Sequence, residues 1–330
     1  MIKAYRIAGG VLEATDLPPG AALPDGIVWI DMLEPTPDED SRVEGLAGVS
    51  VPTREEMKDI EESSRLFTEN GALYLTVPVL YAATAETAGV EPVTFIVADR
   101  CLITLRYTTP QPFASYAARS AKPGTNLVTG DCDPMAILFG LLESITDRLA
   151  EHIENAAQTL NAESGRLISD SASAKPMSTG AFRSGLRLIG REGDFLAKIR
   201  ESLAGISRLL AYIQSTPKGQ EARKHHGAWL KSLERDVQSL SDHVAFLSER
   251  TIFLLDTVVG LVSVEQNAII KTFSVAAVVL MPPTLVASVY GMNFSHMPEL
   301  QWALGYPWAL GLMLVSALLP LLYFKIKGWL

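Results

Sequence analysis

The side chains that could perform covalent or metal chemistry are few in this sequence, and they are poorly spaced for it. His225 and His226 are adjacent and would point in different directions on a helix, while His152 and His243 have no companion at ligand spacing. The Gly-Lys dipeptide of a P-loop is missing, as are the GxSxG, HExxH, CxxC and GxGxxG motifs. We therefore predict that the protein is not an enzyme and that it binds no nucleotide and no cofactor.

Composition indicates a folded protein whose main partner is not a nucleic acid. The 330 residues are 48% hydrophobic and 20% charged, which excludes a disordered chain, and the net charge of -9 disfavours nucleic acid. Cys101 and Cys132 are too few for a disulfide framework or a four-cysteine metal site. The mean hydropathy of +0.19 is high for a soluble protein, and the apolar excess lies near the C-terminus.

Two segments near the C-terminus are long and apolar enough to cross a bilayer. Thr272–Tyr290 has 19 residues and Trp302–Phe324 has 23, and neither contains a charged side chain. About 20 apolar residues span a bilayer as a helix. Lys271, Lys325 and Lys327 flank the two segments, whereas the loop that joins them has no Lys or Arg. The positive-inside rule therefore places both termini in the cytoplasm, and a buried hairpin in a soluble protein is the disfavoured alternative.

The first third of the chain has the pattern of a mixed α/β domain. Thr53 and Glu56 have the spacing of a capping box and predict a helix over Thr53–Glu62. Pro78 predicts an edge or a bulge in its strand. Thr108–Asp133 is rich in Pro, Gly and Ser and marks a boundary. The remaining predicted elements are a helix over Asp38–Leu46, strands over Ile27–Met32 and Ala72–Tyr81, and a hairpin of Val93–Ala98 and Cys101–Tyr107.

Long helices follow, and the last of them leads towards the membrane. We predict helices over Pro134–Ile168 and Ala181–Ile213, and a third that begins near Glu221 and runs for about 65 residues, or about 95 Å. Because so long a helix cannot pack into one compact core, we expect its apolar stripe to pack on copies of the chain in a homo-oligomer. The alternative is two helices with a kink near Gly260. The stripe has 3-4 spacing and comprises Leu230, Leu233, Val237, Leu240, Val244, Leu247, Leu254, Val258 and Leu261.

The predicted domain order places every membrane segment after the cytoplasmic part. It consists of an α/β domain (1–132), a helical region (133–220), a stalk helix continuous with the first span (221–271), that span (272–290), an external loop (291–301), the second span (302–324) and a cytoplasmic tail (325–330).

The most specific motif follows the first apolar segment. Tyr290-Gly-Met-Asn-Phe294 lies where that segment ends, and Tyr-Gly-Met-Asn at the end of the first of two C-terminal spans resembles the CorA family of magnesium channels. Ser263–Val275, Met281–Ser288, the loop Met297–Leu300 and the Lys-Gly-Trp-Leu ending are similar to proteobacterial members of that family. The resemblance is dense over about residues 245–330 and looser upstream.

This resemblance implies a funnel-shaped homopentamer in which the first span lines the pore and the second lies outside it. It places the selectivity filter at Gly291, Met292 and Asn293, with Tyr290 as support for the motif. The spacing of the inner pore positions follows one face of a helix, which fits a lining role. Those positions are Asn267, Ile270, Phe273, Met281 and Thr284.

The physics of a hydrated ion agrees with these roles. Mg²⁺ dehydrates reluctantly, and a ring of neutral Asn293 carbonyls accepts hydrogen bonds from its waters, whereas carboxylates would hold the ion too tightly for release. Asn267 forms a second polar ring, and Phe273 and Met281 are expected to form a hydrophobic constriction that gates the pore. The alternative for Gly291 and Asn293 is a plain helix cap, with Gly291 at C′.

Regulation by a metal ion is a further implication of the resemblance. The family implies intracellular Mg²⁺ as a regulatory ligand, and we expect Asp256 and Glu91 to bind it, with Glu86 and Asp236 as weaker candidates. The acidic pair of well-studied relatives after the Ala72–Tyr81 strand is missing, so we expect a rearranged or weak sensor.

The predicted function is Mg²⁺ influx down its electrochemical gradient in the bacterial inner membrane, with Co²⁺ and Ni²⁺ as secondary substrates. Two alternatives stay open at this point. One is a zinc transporter of the same superfamily, with or without proton coupling. The other is a membrane-tethered sensor that has no pore.

Overall fold

A seven-stranded sheet and six α-helices make up the described part of the chain. The computed structural model describes residues 1–15, 17, 26–59, 61, 65–81, 84–123, 133–171, 179–293 and 297–329. The strands are β1 (Ile2–Ala8), β2 (Val11–Thr15), β3 (Ile27–Leu33), β4 (Leu66–Glu69), β5 (Ala72–Tyr81), β6 (Gly89–Val97) and β7 (Leu102–Arg106). The helices are α1 (Pro37–Ala47), α2 (Gln111–Ser120), α3 (Pro134–Ser171), α4 (Thr179–Ser215), α5 (Pro217–Tyr290) and α6 (Gly305–Ile326). Short 3-10 turns lie at Glu56–Lys58 and Pro298–Gln301.

All seven strands belong to one sheet, in the order β2-β1-β3-β7-β6-β5-β4. The β3–β7 pair is parallel, with Asp31 opposite Thr104, and the other pairs are antiparallel. Both faces of the sheet are covered, so β3 and β5 are buried on both sides and do not alternate. On one face Trp29 stacks on Tyr5 and meets the edge of Tyr116 from α2.

The strand predictions for the α/β domain are confirmed. The chain reverses between β6 and β7 at a tight turn, where the Ala98 amide donates to the Cys101 carbonyl over 3.1 Å. β4 pairs only with Ala72–Leu75, so Pro78 lies beyond the end of β4, opposite Pro92 of β6. This position matches the predicted edge. Because Pro78 has no partner in β4, its missing N–H removes no hydrogen bond between β4 and β5.

The predicted helix over Thr53–Glu62 is wrong, although its capping box is present. The Thr53 amide donates to Glu56 Oε2 over 2.7 Å, and the Glu56 amide donates to Thr53 Oγ1 over 3.3 Å. One 3-10 turn follows, and the chain becomes extended at Asp59. Met57 is the buried residue of this turn, and Ile60 and Glu62 of the predicted helix lie outside the described residues.

Helix α2 lies inside the segment that we expected to be only a boundary. Its apolar side chains Phe113 and Tyr116 are buried, and Phe113 stacks on Phe95 of β6. Tyr116 packs so closely on α3 that a Cβ at Gly140 would lie 2.4 Å from its ring. Contacts with distant elements therefore stabilise α2, and the local composition of Thr108–Asp133 does not reveal them.

The chain divides into two compact units, and the first contains the sheet. It comprises Met1–Arg166 and Ser184–Leu255. Helix α4 crosses close to the sheet at Gly205, where a Cβ would lie 2.6 Å from Cδ of Pro78. The start of α5 is tied to the β6–β7 turn because Lys218 donates to Asp99 Oδ1 over 2.7 Å. This hydrogen bond, together with the charge of Lys218, lowers the pKa of Asp99.

The heptad stripe of α5 is buried within its own chain, which corrects our expectation that it packs on other subunits. The two preceding helices lie beside it: Trp229, next to Leu230, meets Phe139 of α3 edge-on, and Thr251, which fills the place between Leu247 and Leu254, approaches Gly193 of α4. A stripe with 3-4 spacing shows that a helix has an apolar face, but it does not distinguish a partner in the same chain from one in another. The buried members are Leu230, Leu233, Val237, Val244, Leu247, Leu254 and Val258.

Helix α5 bends near its start and not at Gly260. His226 has φ -120° and ψ 17° and joins two helical stretches, while the helix continues through Gly260. His226 is held by the Asp133 carboxylate, at 3.3 Å from Nε2. Asp133 also caps α3, because its Oδ1 accepts from the Ala136 amide over 2.7 Å. The bend therefore coincides with a contact between the starts of two helices.

The second unit contains the apolar helices. It comprises Leu167–Arg183 and Asp256–Leu330. Helix α5 and helix α6 are each long and apolar enough to cross a membrane, and only 6% of the most apolar stretch of each is buried. The large apolar side chains of both helices are therefore available to lipid or to other subunits.

Candidate functional site

A continuous exposed stripe runs along the part of α5 that belongs to the second unit. It begins at Asp256, and its members are spaced alternately by four and three residues, so they lie on one face of the helix. The stripe consists largely of small or polar residues, which is unusual for a segment in contact with lipid tails. Its exposed members are Asp256, Gly260, Ser263, Asn267, Ile270, Ser274, Ala277, Met281, Thr284 and Ser288.

Four of the five predicted inner pore positions belong to this stripe. These are Asn267, Ile270, Met281 and Thr284. The fifth, Phe273, lies directly beside it and is 73% exposed. The structure thus brings all five to one exposed side of the helix.

The opposite face of the same segment is covered by its own chain. Val275 is buried, and Lys271, Val279, Pro282 and Val286 are half-buried. These residues are spaced by three or four, so they form a second face about a third of a turn away from the exposed stripe. The helix therefore has one face packed against its own chain and one face free for another molecule.

Helix α5 ends at Tyr290, and Gly291–Asn293 follow it in an exposed turn. The Gly291 amide donates to the Ala287 carbonyl over 2.9 Å. The φ of Gly291 is not left-handed, so Gly291 does not form the left-handed cap that glycine often makes at C′. A Cβ here would lie 3.1 Å from the Ala287 carbonyl oxygen, so a side chain at this position would be a tight fit. Phe294 lies outside the described residues.

The acidic residues predicted to bind a regulatory ion are scattered. Asp256 is exposed on the stripe of the second unit. In the first unit, Glu91 lies on β6 opposite Val79, and Glu86 forms an ion pair with Arg191 of α4. Within the described ranges, no group of three His, Cys, Asp or Glu side chains is placed to hold a metal ion.

Asp236 belongs to a carboxylate cluster that the sequence analysis missed. Glu143 and Asp147 lie one turn apart on α3, and burial is the main cause of the raised pKa of both. The negative charges of Asp147 and Asp236 raise the pKa of Glu143 further, while a hydrogen bond from Trp229 opposes the rise. The i, i+4 spacing of two acids beside a buried helix face is the signal that would have indicated the cluster.

Comparison with known proteins places these features in one family. The family described as CorA-like Mg2+ transporter protein matches residues 24–325. A protein of Sodalis glossinidius named Magnesium transport protein CorA is 36% identical over 332 residues, which cover 100% of both chains.

Solved structures show the same fold at low sequence identity. The complete structure of the CorA magnesium transporter from Methanocaldococcus jannaschii has a TM-score of 0.75 at 16% identity and covers 100% of this chain and 99% of its own. The full-length CmaX protein has a TM-score of 0.69, also at 16% identity, and covers 100% of this chain and 98% of its own. The predicted fold, an α/β domain followed by long helices and two C-terminal apolar helices, is confirmed.

Proposed function

Because the chain belongs to the CorA-like Mg²⁺ transporter family, we propose that it is a Mg²⁺ channel whose pore is lined by the exposed stripe of α5. The observation that carries this proposal is the continuous exposed stripe from Asp256 to Ser288, which consists largely of small and polar side chains and is followed by the Gly291–Asn293 turn. The relatives are named as transport proteins, so we propose conduction and not catalysis as its activity.

The pore requires several subunits. Two apolar helices cannot enclose a channel, and the stripe of one chain is open on its free side. We propose a homopentamer, as the family resemblance implies, in which five stripes face a common axis. Rings of identical residues then form at each level of the stripe.

Two rings of amides carry the proposed selectivity. Asn293 lies at the mouth and Asn267 near the opposite end of the apolar segment. Amide carbonyls accept hydrogen bonds from the waters of a hydrated Mg²⁺ without replacing them, which suits an ion that dehydrates reluctantly. Gly291 leaves room for the hydrated ion beside the Asn293 ring, and Met292, 46% exposed, completes the filter.

Apolar rings between the amides provide the proposed gate. Ile270, Phe273 and Met281 are each more than half exposed in the single chain. In a ring, these apolar side chains narrow the pore and cannot replace the hydration shell of the ion. A small change in the pore radius then determines whether water fills the constriction. Thr284 lies one turn beyond Met281 and adds a hydroxyl ring.

The driving force is the membrane potential. Without a nucleotide-binding motif, transport runs down the electrochemical gradient. A divalent cation gains about 4.6 kcal/mol at 100 mV. We propose the bacterial inner membrane as the location, with both termini in the cytoplasm, because Lys271, Lys325 and Lys327 flank the spans and the external loop has no Lys or Arg.

Intracellular Mg²⁺ is the proposed regulatory ligand, as well as the transported ion. Asp256 would present a ring of carboxylates at the cytoplasmic end of the stripe, and Glu91 is the second proposed ligand. Co²⁺ and Ni²⁺ are proposed as secondary substrates, since all are hydrated divalent cations.

Ion uptake into liposomes tests the function and separates it from the zinc alternative. Purified protein is reconstituted, and Mg²⁺ and Zn²⁺ uptake are measured with and without a proton gradient at a fixed membrane potential. We expect Mg²⁺ uptake that follows the potential and ignores the proton gradient. Zn²⁺ uptake that needs the proton gradient would favour a zinc transporter, and no uptake of either ion would favour a sensor without a pore.

A further inference from the structure

The end of the chain folds back over the last turn of α6. Gly328 has a φ of 70°, the Trp329 amide donates to the Phe324 carbonyl over 2.9 Å, and the Gly328 amide donates to the Lys325 carbonyl over 3.2 Å. This pair of hydrogen bonds, 6→1 and 5→2 around a left-handed glycine, is a Schellman motif. The motif fixes the direction in which residue 329 leaves the helix.

Trp329 contacts one side chain of α6 and one of α5. Its ring stacks on Phe324, with centroids 5.4 Å apart and planes 20° apart, which is the apolar contact that accompanies a Schellman motif. Its other neighbour is Lys271 of α5, whose Nζ lies 5.7 Å from the ring centroid. The Lys271 ammonium also donates to the Gly328 carbonyl over 3.5 Å.

These contacts join the end of α6 to one position of the proposed pore helix α5, which is Lys271. Lys271 follows Ile270 directly and lies one turn after Asn267. It also begins the covered face, together with Val275 and Val279. A contact that fixes Lys271 therefore fixes the rotation of α5 about its own axis, and with it the direction in which Asn267 and Ile270 project.

We propose that Trp329 is a positioning residue for conduction, a latch that holds α5 through Lys271 and so sets the width of the Asn267 and Ile270 rings. The proposal rests on the proposed function, since it presumes that these rings line the pore. A cation–π contact suits this role because it holds a lysine at the water-facing end of a span without neutralising it.

Loss of the latch has a defined consequence for transport. The constriction then samples a broader range of widths. The cost of passing a hydrated ion falls steeply as the pore widens, so the widest conformers dominate the average flux. Release of the latch therefore raises the flux at a fixed membrane potential.

The test is a mutant cycle in the full-length protein, measured as initial Mg²⁺ uptake into liposomes. We expect Trp329→Leu to raise uptake at least threefold, because leucine keeps the apolar anchor but has no π face. Trp329→Phe is expected to retain wild-type uptake, as is Lys271→Arg. Lys271→Met is expected to raise uptake as much as Trp329→Leu does. The double variant Lys271→Met/Trp329→Leu is expected to have the same uptake as either single variant, because both substitutions remove the same interaction.

Several results would overturn the latch. Wild-type uptake in Trp329→Leu would show that apolar anchoring is sufficient, and additive effects in the double variant would show that the two residues act separately. Trp308→Ala is the matched control, since it removes an exposed tryptophan at the other end of α6 and should leave uptake unchanged. The detergent-extracted mass of each variant shows whether it still assembles. If the wild type itself takes up no Mg²⁺, the proposed function fails, whereas a conducting wild type with an unaltered Trp329→Leu refutes the latch alone.

Discussion

At the scale of single residues, the account depends on the neutrality of the Asn293 amide. Asn293→Asp keeps the shape of the side chain but replaces five carbonyls with carboxylates in the proposed ring. Carboxylates are strong ligands for Mg²⁺, so the ion should bind more tightly and leave more slowly. We expect a maximal uptake rate at least tenfold lower together with half-saturation at a lower Mg²⁺ concentration, both read from the concentration dependence of uptake in liposomes.

The matched control for this substitution is Asn161→Asp. Asn161 is an exposed asparagine on α3 in the first unit, so the same chemical change occurs there outside the apolar helices. Uptake by Asn161→Asp should follow that of the wild type. An Asn293→Asp variant that keeps the wild-type concentration dependence would contradict the assignment of this residue to the filter.

The raised pKa of Glu143 predicts a pH-dependent stability. Burial is its main cause, and the charge of Asp147 adds to it. A carboxyl whose folded pKa lies above its unfolded value of about 4.3 destabilises the folded state when it is ionised, and this penalty vanishes as the pH falls below the unfolded value. Glu143→Gln should therefore raise the thermal midpoint of the full-length protein at neutral pH, and the gain should shrink towards zero near pH 4. Glu154→Gln, at an exposed position on the same helix, is the control. An equal gain in the thermal midpoint of Glu143→Gln at neutral pH and near pH 4 would contradict this prediction.

At the scale of elements, β3 and β7 depend on a buried ion pair. Arg106 donates from Nε to Asp31 Oδ1 over 2.9 Å and from Nη2 to Asp31 Oδ2 over 2.7 Å, and Thr104 Oγ1 donates to Asp31 Oδ1 over 2.8 Å. Arg106→Met leaves the Asp31 charge buried without its partner, which costs about 3–5 kcal/mol. We expect a large decrease in the urea midpoint of unfolding.

An exposed ion pair of the same sheet provides the control for this prediction. Arg6 pairs with Glu13 across β1 and β2, and both side chains are about half exposed. Arg6→Met should change the free energy of unfolding by no more than about 1 kcal/mol, because water screens such a pair. Equal shifts for Arg106→Met and Arg6→Met would show that the buried network does not stabilise the parallel pair.

Local sequence patterns predicted most helices and strands, and they failed where contacts with distant residues determine the structure. Short apolar runs and turn chemistry were sufficient for β3, β5 and the β6–β7 hairpin, and the absence of charge was sufficient for the two apolar helices. Helix α2 was missed because the packing of Phe113 and Tyr116 on the sheet and α3 stabilises it. Helix α5 continues through Gly260, where a kink was the alternative to one long helix, and it bends instead at His226 beside Asp133, which no local pattern indicated.

Helix α5 shows both what spacing can predict and what it cannot. The 3-4 rule identified the stripe through Asn267 and Met281 and also the stripe through Leu233 and Val244. The spacing could not show that the stripe through Leu233 and Val244 is covered by the same chain, because its burial depends on where α3 and α4 lie. Likewise, no pattern indicated that Trp329 lies on Lys271, since the two residues are 58 positions apart.

At the scale of the whole molecule, the uncovered stripe implies an assembly. The apolar heptads of α5 are covered within the chain and require no other subunits, so it is the second unit that indicates an oligomer. There, small and polar residues face outwards from a helix whose other face is packed. Polar residues in a span are expected to face a bundle interior or a water-filled cavity.

The assembly has a direct test in its mass. Native mass spectrometry of the detergent-extracted protein should give a complex of five chains, each of 35.8 kDa. Five copies allow the ten C-terminal spans to surround one axis, which a monomer or dimer cannot do. A monomer or dimer as the sole species would contradict a pore formed by the α5 stripe.

The central claim is that a hydrated Mg²⁺ passes the amide ring of Asn293, and one comparison tests it most directly. Potential-driven Mg²⁺ uptake is measured in liposomes that contain equal amounts of assembled wild-type and Asn293→Ala protein. Alanine removes the carbonyls that accept hydrogen bonds from the waters of the ion, so we predict that Mg²⁺ uptake is lost while the assembly persists. Uptake by assembled Asn293→Ala at the wild-type rate would contradict the account.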